Sequence, residues 1–383
     1  MLMSKWIVRN QKILPIGVDI GHRCIKMIQL AESDGHLKVL SAGQASMPVS
    51  AAMDEPQRRQ CAVSAIRQLL SHGCFRGRSA VSALSADELQ ITSLRLAEAE
   101  SLPVDKALRK EAAQRFNLDP DTDAIDYLLA GSVRQDDEAK NEFIVLAAKA
   151  ETIESHVSLL EEAGLQAVGI DAAPCALFRG FERAMRREED KQRTIIFVDV
   201  GYRYTTVVFG RNGEICLAKQ MPFGTARFDE EIASKLEMAA GDAESLRLRL
   251  QRDESLEEGT RQLVTDAFVS AAEQLAKELS LCLRYHTVTF RGKRVERAVV
   301  AGGGAHAKML LDVLQRYLSI AVEPAEPLRG LDLGDTKCAE ECIRSSVDLA
   351  LAIGLSLKGR VPSAAACERS EVVPEPVLEG ERS

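Results

Sequence analysis

The sequence has no run of about 18 apolar residues, so no segment is expected to cross a bilayer as a helix. Nor does it carry an excess of positive charge. Its net charge is −8, whereas a nucleic-acid partner calls for a basic face. A disulfide framework is also missing. The nine cysteines (Cys24, Cys61, Cys74, Cys175, Cys216, Cys282, Cys338, Cys342 and Cys367) are odd in number and irregular in spacing, the pattern of reduced thiols in a cytosol. Cys338 and Cys342 are four apart with no His or Cys pair nearby, so no metal site is expected there. A signal peptide is not expected, because Lys5, Arg9 and Lys12 are spread through Met1–Pro15. That opening also sets Leu2, Trp6, Ile7 and Ile13 among basic residues, as either an interfacial anchor or a frayed, partly docked terminus. What remains is an ordinary globular composition, 46% hydrophobic and 28% charged over 383 residues, with room for two or three domains.

One pattern occurs twice. Val18-Asp19-Ile20-Gly21-His22-Arg23 aligns with Val198-Asp199-Val200-Gly201-Tyr202-Arg203 at a constant offset of 180 residues. Each copy is an apolar β-run, an Asp-apolar-Gly break, a few polar residues and a second apolar run. Each then reaches a tight-turn dipeptide, Asp34-Gly35 or Asn212-Gly213, of the kind that accepts positive φ at both centres of a hairpin. The chain therefore predicts a duplicated three-strand meander whose first turn carries a carboxylate and a glycine. Such a turn can cradle phosphate oxygens with backbone N–H groups. A carboxylate at the strand end can hold the waters of Mg²⁺, which keeps much of its hydration shell.

The stretches between predict layered α/β architecture. Pro56–Leu70 reads as a helix with Val63, Ile66, Leu69 and Leu70 at helical spacing, stopped near Gly73. Phe75–Gly164 reads as an inserted α+β module. Its expected strands are Ser79–Leu84, Leu89–Leu96, Ile125–Ala130 and Phe143–Ala148, with a polar loop at Arg134–Asn141 and helices after Pro103 and at Glu151–Ala163. From Leu165 the chain returns to the first domain, with a helix at Cys175–Arg187 and a polar hinge at Glu188–Arg193. In the second half, helices are expected at Arg227–Met238, Thr260–Tyr285 and Ala305–Leu318, and a strand at Arg297–Ala301 runs into Gly302-Gly303-Gly304. Three glycines between a strand and a helix would let a nucleoside lie against bare backbone. The Glu-, Pro- and Ser-rich end from Pro362 predicts a disordered tail.

The order of these pieces resembles the actin, sugar-kinase and heat-shock-chaperone ATPase superfamily, and within it the PilM family of cytoplasmic actin-like proteins of type IV pilus assembly. The two Asp-apolar-Gly hairpins match the superfamily's phosphate motifs, Ala301–Gly304 its adenosine motif, and Asp171–Leu177 and Ala350–Leu355 its two connecting helices. The short amphipathic N-terminus, the insert and the Val299–Leu318 segment are similar to PilM. The fold so implied is a pair of duplicated actin-like (ribonuclease H-like) domains around a nucleotide cleft. Its expected parts are an N-terminal segment (1–13), the first domain (14–74 and 165–190), the inserted subdomain (75–164), the second domain (191–358) and the tail (359–383).

The resemblance further implies ATP and Mg²⁺ as cofactors. Asp19 and Asp199 would order Mg²⁺ waters, and Lys26 would reach the β/γ phosphates. Gly21, His22, Gly201 and Tyr202 would lie at the phosphate turns, Gly302–Gly304 at the adenosine, and Gly224 with the Arg227–Lys235 helix on the ribose side. The implied partner is an inner-membrane protein of the PilN type, bound through its cytoplasmic N-terminal peptide, which makes this chain cytoplasmic and peripheral to the inner membrane. Self-association is left open. A sheet edge of the insert is the expected peptide template, with Leu94, Leu96, Phe143, Val145 and Leu165 lining a groove. Two departures stand out. His22, Arg23 and Cys24 replace the family's small hydroxyl residues, so Arg23 and Arg203 would either supply phosphate charge or crowd the pocket. Ala173 stands where hydrolytic members place a water-orienting Glu or Gln. Asp171 is the one nearby carboxylate, and it either takes that role or caps the helix. Binding with turnover far below the ~1–10³ s⁻¹ of ordinary enzymes is the expectation. A cell-division actin homologue and a sugar kinase of the same fold are the alternatives.

Overall fold

Both hairpin dipeptides form as the sequence predicts. Asp34 and Gly35 have φ of 52° and 76°, Asn212 and Gly213 of 54° and 77°. In this computed structural model, which describes residues 11–48, 54–97, 103–135, 138–182, 193–290, 294–334 and 346–360, each turn joins the second and third strands of a meander. The first meander is β1 (Lys12–Ile20), β2 (Cys24–Ser33) and β3 (His36–Ser46); the second is β9 (Thr194–Val200), β10 (Thr205–Arg211) and β11 (Glu214–Met221). The expected tail, Cys338, Cys342 and most of the N-terminal segment and the polar hinge lie outside the described residues.

The duplication extends beyond the meanders to whole sheets. The first sheet runs β3-β2-β1-β4-β8, with β4 (Ser79–Ala83) and β8 (Gln166–Asp171) parallel to β1. The second runs β11-β10-β9-β12-β13, with β12 (Val295–Ala301) and β13 (Ala321–Pro324) parallel to β9. Helices supply the crossovers that parallel strands require. In the first half these are α1 (Glu55–His72) and α3 (Ala150–Glu162). In the second they are α5 (Thr225–Leu236), α6 (Ala240–Gln251) and α7 (Glu258–Thr289), then α8 (Lys308–Leu318). The predicted stripe on α7, from Val264 through Phe268, Ala271 and Leu275 to Leu279, is buried throughout.

Two elements expected in the insert belong elsewhere. β4 is a central strand of the first sheet, and Leu160 of α3 packs with Ile66 of α1 in that domain's core. The insert proper is a three-stranded sheet in the order β5-β7-β6, formed by β5 (Gln90–Ala97), β6 (Ala124–Gln135) and β7 (Glu138–Ala148), with helix α2 (Val104–Phe116). The expected polar loop at Arg134–Asn141 is mostly strand, since β6 runs to Gln135 and β7 starts at Glu138.

β7 explains how the insert is held. Alternate strand residues point to opposite faces, and in β7 both faces are covered. Phe143, Val145 and Ala147 lie under α2 with Leu94 and Leu108. Ile144, Leu146 and Ala148 face the other way, into a cluster with Phe178 and with Phe197, Val208 and Ile215 of the second sheet. Burying each of the larger of these side chains contributes about 1.5–3 kcal/mol. The insert thus interrupts the first domain in sequence yet packs on the second. Polar contacts reinforce this joint: the buried Glu142 carboxylate accepts from Arg95 at 2.5 Å and from the Tyr285 hydroxyl of α7 at 2.8 Å.

Two helices cross between the lobes, α4 (Ala173–Glu182) and α9 (Ala350–Ser356). They touch backbone to backbone. A Cβ at Gly354 would stand 1.7 Å from the Ala176 carbonyl oxygen, so this crossing excludes any side chain there.

Candidate functional site

Each meander ends its first strand in the same turn. The Gly21 N–H donates to the Cys24 carbonyl at 3.1 Å, and the Gly201 N–H to that of Tyr204 at 3.0 Å. The first turn is fastened from α1. Asp54 and Gln57 form a capping box at that helix's start, with Pro56 in its first turn, which fixes the position of Arg58. The Arg58 guanidinium donates to the carbonyls of Gly21 at 3.2 Å and His22 at 3.3 Å. The second turn is fastened by the start of α5, where Thr225 and Ala226 N–H groups donate to the Gly201 and Tyr202 carbonyls at 2.9 Å.

The two turns face each other across one cavity of about 330 Å³. Strand register loads it with two matching rows. Asp19 is directly opposite Lys26, which is opposite Gln44; Asp199 is opposite Thr206, which is opposite Gln220. Directly opposed residues share a sheet face, and all six line the cavity with Gly302, Gly303 and Asp348.

The charges interlock. Lys26 Nζ donates to Asp19 Oδ2 at 2.9 Å. Burial alone would lower the Lys26 pKa, but Asp19, Asp199 and Asp348 outweigh it and hold the ammonium charged above its ordinary range. Burial pushes Asp199 up to about 6, against the pull of Lys26 and with the push of Asp19 and Asp348. Asp348 Oδ2 lies 2.9 Å from His306 Nε2, and this hydrogen bond raises the His306 pKa. Asp348 Oδ1 and Gln220 Oε1 are buried with no hydrogen-bond partner among the described residues.

This donor set fits a hydrated divalent cation beside a polyphosphate. The carboxylates of Asp19, Asp199 and Asp348 are acceptors for metal-bound water, and Lys26 is a point charge for phosphate. Among the described residues no cluster of three or more His, Cys, Asp and Glu is arranged to grip a metal directly. Gly302 completes the wall at φ +77°, where a Cβ would come within 2.3 Å of Asp199 Oδ1. A second cavity of about 500 Å³ adjoins, sharing Arg23, Tyr202, Thr225 and Gly303 with the first and walled by α6 residues including Glu244, Arg247 and Gln251. Arg247 is itself held by a buried bidentate pair with Asp229 at 2.6 and 3.2 Å.

Some expected site residues line the cavity while engaged with other partners, and others lie away from it. Arg23, expected at a phosphate, is 2.5 Å from Glu244 of α6, with its guanidinium 5.9 Å from the Tyr202 ring centre. His22 lines the cavity and packs on Tyr204 with ring centres 5.8 Å apart, and Arg203 lines it from an exposed position. Gly304 packs on Val200, and Gly224 lies against the Tyr202 backbone. Lys235, expected on the ribose side, is 3.9 Å from Asp266 and lines neither cavity; α6 walls that side instead. Asp171 is bound by Arg179 at 2.8 Å and Lys358 at 3.1 Å and does not line the cavity, whereas Ala173 does. Its two cations and its bond to the Ala172 N–H make it a structural anchor at the start of α4.

The five expected groove residues do not form one groove. Leu94, Phe143 and Val145 are buried under α2, with Leu96 beside them, and Leu165 is in the separate core under α1 and α3. Sequence reasoning missed Asp348, Gln220 and Glu244. Asp348 had a readable signal, since it stands two residues before the second connecting-helix match; the other two depend on register and packing.

Comparison with known proteins agrees with this architecture. The family described as "Type IV pilus assembly protein PilM" matches residues 17–360. A solved "PilM-PilN type IV pilus biogenesis complex" superposes with a TM-score of 0.72 at 21% identity, covering 91% of this chain and 99% of that one. The ethanolamine utilization protein EutJ from Carboxydothermus hydrogenoformans gives a TM-score of 0.49 at 13% identity, over 90% of this chain and 89% of that one. MreB5 of Spiroplasma citri bound to ADP gives 0.45 at 10% identity, over 90% and 94%. The duplicated actin-like fold is therefore the architecture of a pilus-assembly protein, and this chain belongs to the PilM family.

Proposed function

We propose that the chain is an ATP-binding adaptor of type IV pilus assembly, whose nucleotide cleft controls a surface for the N-terminal peptide of a PilN-type inner-membrane partner. The observation that carries the nucleotide half is the facing of Asp19 and Asp199 across one cavity, with Lys26 between them and Gly302 against Asp199. Asp19, Asp199 and Asp348 would hold the waters of Mg²⁺, and Lys26 would face the phosphates. The α6 wall would enclose the nucleoside. A Mg²⁺ held there would supply the positive charge that offsets the repulsion among the three carboxylates, with Lys26 left to face the phosphates.

The partner half is supported by the insert. It shares a core with the second sheet, so a change in lobe angle would move it relative to the first domain. β5 is an outer strand of its sheet, and a crevice of about 490 Å³ runs beside it, lined by Ile91, Thr92, Ser93, Leu217, Leu281 and Tyr285. An extended peptide would add to the β5 edge through main-chain hydrogen bonds and place alternate side chains in that crevice. The similar complex contains a PilN, and the chemistry of an edge strand suits a short peptide of that kind. The expected groove moves accordingly, from the buried Leu94–Leu165 set to the β5 edge.

Isothermal titration tests both halves. Mg·ATP should bind the wild type, and the partner's N-terminal peptide should bind more tightly to the nucleotide-loaded protein. Thr92→Pro, which blocks the ladder, should abolish peptide binding and leave nucleotide binding intact. Peptide affinity unchanged by Thr92→Pro would move the partner site elsewhere.

A further inference from the structure

Ala173 leaves the connecting helix without a side chain able to hold a water, yet the cavity contains an amide in the other lobe. Gln220 is the last member of the row Asp199–Thr206–Gln220, and its Oε1 is buried without a hydrogen-bond partner among the described residues. A buried polar atom left unpaired costs about 1–3 kcal/mol. Such an atom persists where something else, commonly a water, meets it. Gln220 lines the same cavity as Ala173, Asp19 and Asp199. It reaches there because β11 carries it beside Thr206, on the face that holds the metal-water carboxylates.

We propose that Gln220 holds the attacking water in this chain, taking from the second lobe the role that Ala173 cannot fill. The inference rests on the nucleotide reading above. In the step implied, a water oxygen bonds to the terminal phosphorus of a nucleoside triphosphate as that phosphorus parts from its bridging oxygen. One water proton stays on the released phosphate and the other passes to solvent. An amide offers an acceptor and two donors but takes no proton at neutral pH. Gln220 therefore positions the water without deprotonating it, in keeping with the slow turnover expected from the sequence. Orienting water is a separable contribution in phosphoryl transfer.

The test compares wild type, Gln220→Leu and Gln220→Glu in the full chain by titration with Mg·ADP, and with Mg·ADP plus aluminium fluoride as a mimic of the transferring phosphoryl group. A transition-state mimic reports interactions that strengthen on the way to reaction. Gln220→Leu should weaken the aluminium fluoride complex by about tenfold or more while Mg·ADP affinity stays within about twofold. Gln220→Glu should retain most of the mimic's advantage, and single-turnover hydrolysis should fall in parallel for the leucine variant. Equal affinity of wild type and Gln220→Leu for the mimic would overturn the assignment, as would a wild type that binds the mimic no better than Mg·ADP. Failure of the wild type to bind Mg·ADP at all would instead overturn the nucleotide reading, and this inference with it.

Discussion

The guanidinium of Arg23, on the turn after β1, lies 2.5 Å from the carboxylate of Glu244 on α6 and so ties the two lobes together across the mouth of the cleft. Arg23 is partly exposed, so the pair contributes at most about 1 kcal/mol to global stability. Its effect is local. We expect Glu244→Gln to leave the melting temperature nearly unchanged and to speed amide exchange in α6 and in residues 21–24 of the nucleotide-free protein. Unaltered exchange in both segments would show that the ion pair holds nothing closed.

Asp199 should trade stability for binding. Its pKa of about 6 lies above the ordinary carboxylate value because burial disfavours the charge. The folded state therefore binds a proton more readily than the unfolded chain between about pH 4 and 6. Its stabilising effect is complete below that window and is lost as pH rises through it, a loss on the order of 1–3 kcal/mol at neutral pH. We expect Asp199→Asn to raise the neutral-pH melting temperature and to flatten its dependence on pH across that window. The same variant, and Asp199→Ala, should weaken Mg·ATP binding by about tenfold or more. An Asp199→Ala protein that folds and binds as tightly as wild type would remove the residue from the site.

His156 gives the opposite slope. It is buried beside Ser82, with Nε2 3.0 Å from the serine hydroxyl oxygen, and burial lowers its pKa, with Arg59 adding to the effect against Glu88. Below the free-histidine range near 6.5 the unfolded chain gains a proton that the folded state resists. Stability present above that pH should fall as pH drops through the folded value. Denaturant midpoints from pH 8 to pH 5 should decline more steeply for wild type than for His156→Gln; parallel curves would exclude this residue as the cause.

Glu142 offers a test of the insert's attachment. Its carboxylate is 1% exposed and is met by Arg95 and Tyr285 from two different elements. Removing a buried partner strands the other charges, at a cost of about 3–5 kcal/mol for fully buried pairs. Arg95 retains some exposure, so we expect Glu142→Ala to cost about 2–4 kcal/mol in denaturant unfolding. Tyr285→Phe should cost about 1 kcal/mol. A loss below 0.5 kcal/mol for the alanine variant would show that apolar packing alone secures the insert.

Much of this architecture was legible because duplication and turn chemistry are local. Asp34-Gly35 and Asn212-Gly213 fixed two hairpins, the constant offset between Asp19 and Asp199 revealed two equivalent turns, and a glycine run between strand and helix marked a third side of the cleft. The boundaries of the insert were less accessible. Ser79–Ala83 is a strand in either arrangement, and nothing in its side chains says that it pairs with β1 and β8 rather than with β5. The groove residues failed for a related reason. An apolar strand residue has the same composition whether it lines a groove or lies beneath α2, and Leu94, Phe143 and Val145 lie beneath α2.

By itself the sequence determined which carboxylates stand at the turns, that Lys26 is near the first of them, and that Ala173 has no group to hold a water. It did so because each of these follows from position relative to a turn. Only the tertiary structure decided which residues complete the rows. Counted back from the Asn212-Gly213 turn in an unbroken ladder, the neighbour of Thr206 would be Lys219. A register shift between Phe209 and Gly210 makes it Gln220 instead, and a matching shift between Gln29 and Leu30 puts Gln44 rather than Gly43 beside Lys26. One extra residue in a ladder exchanges the two faces of a strand. That displacement turns Gln220 into the cleft and leaves Lys219 exposed. The shift belongs to the pairing of whole strands, which local residue preferences do not record.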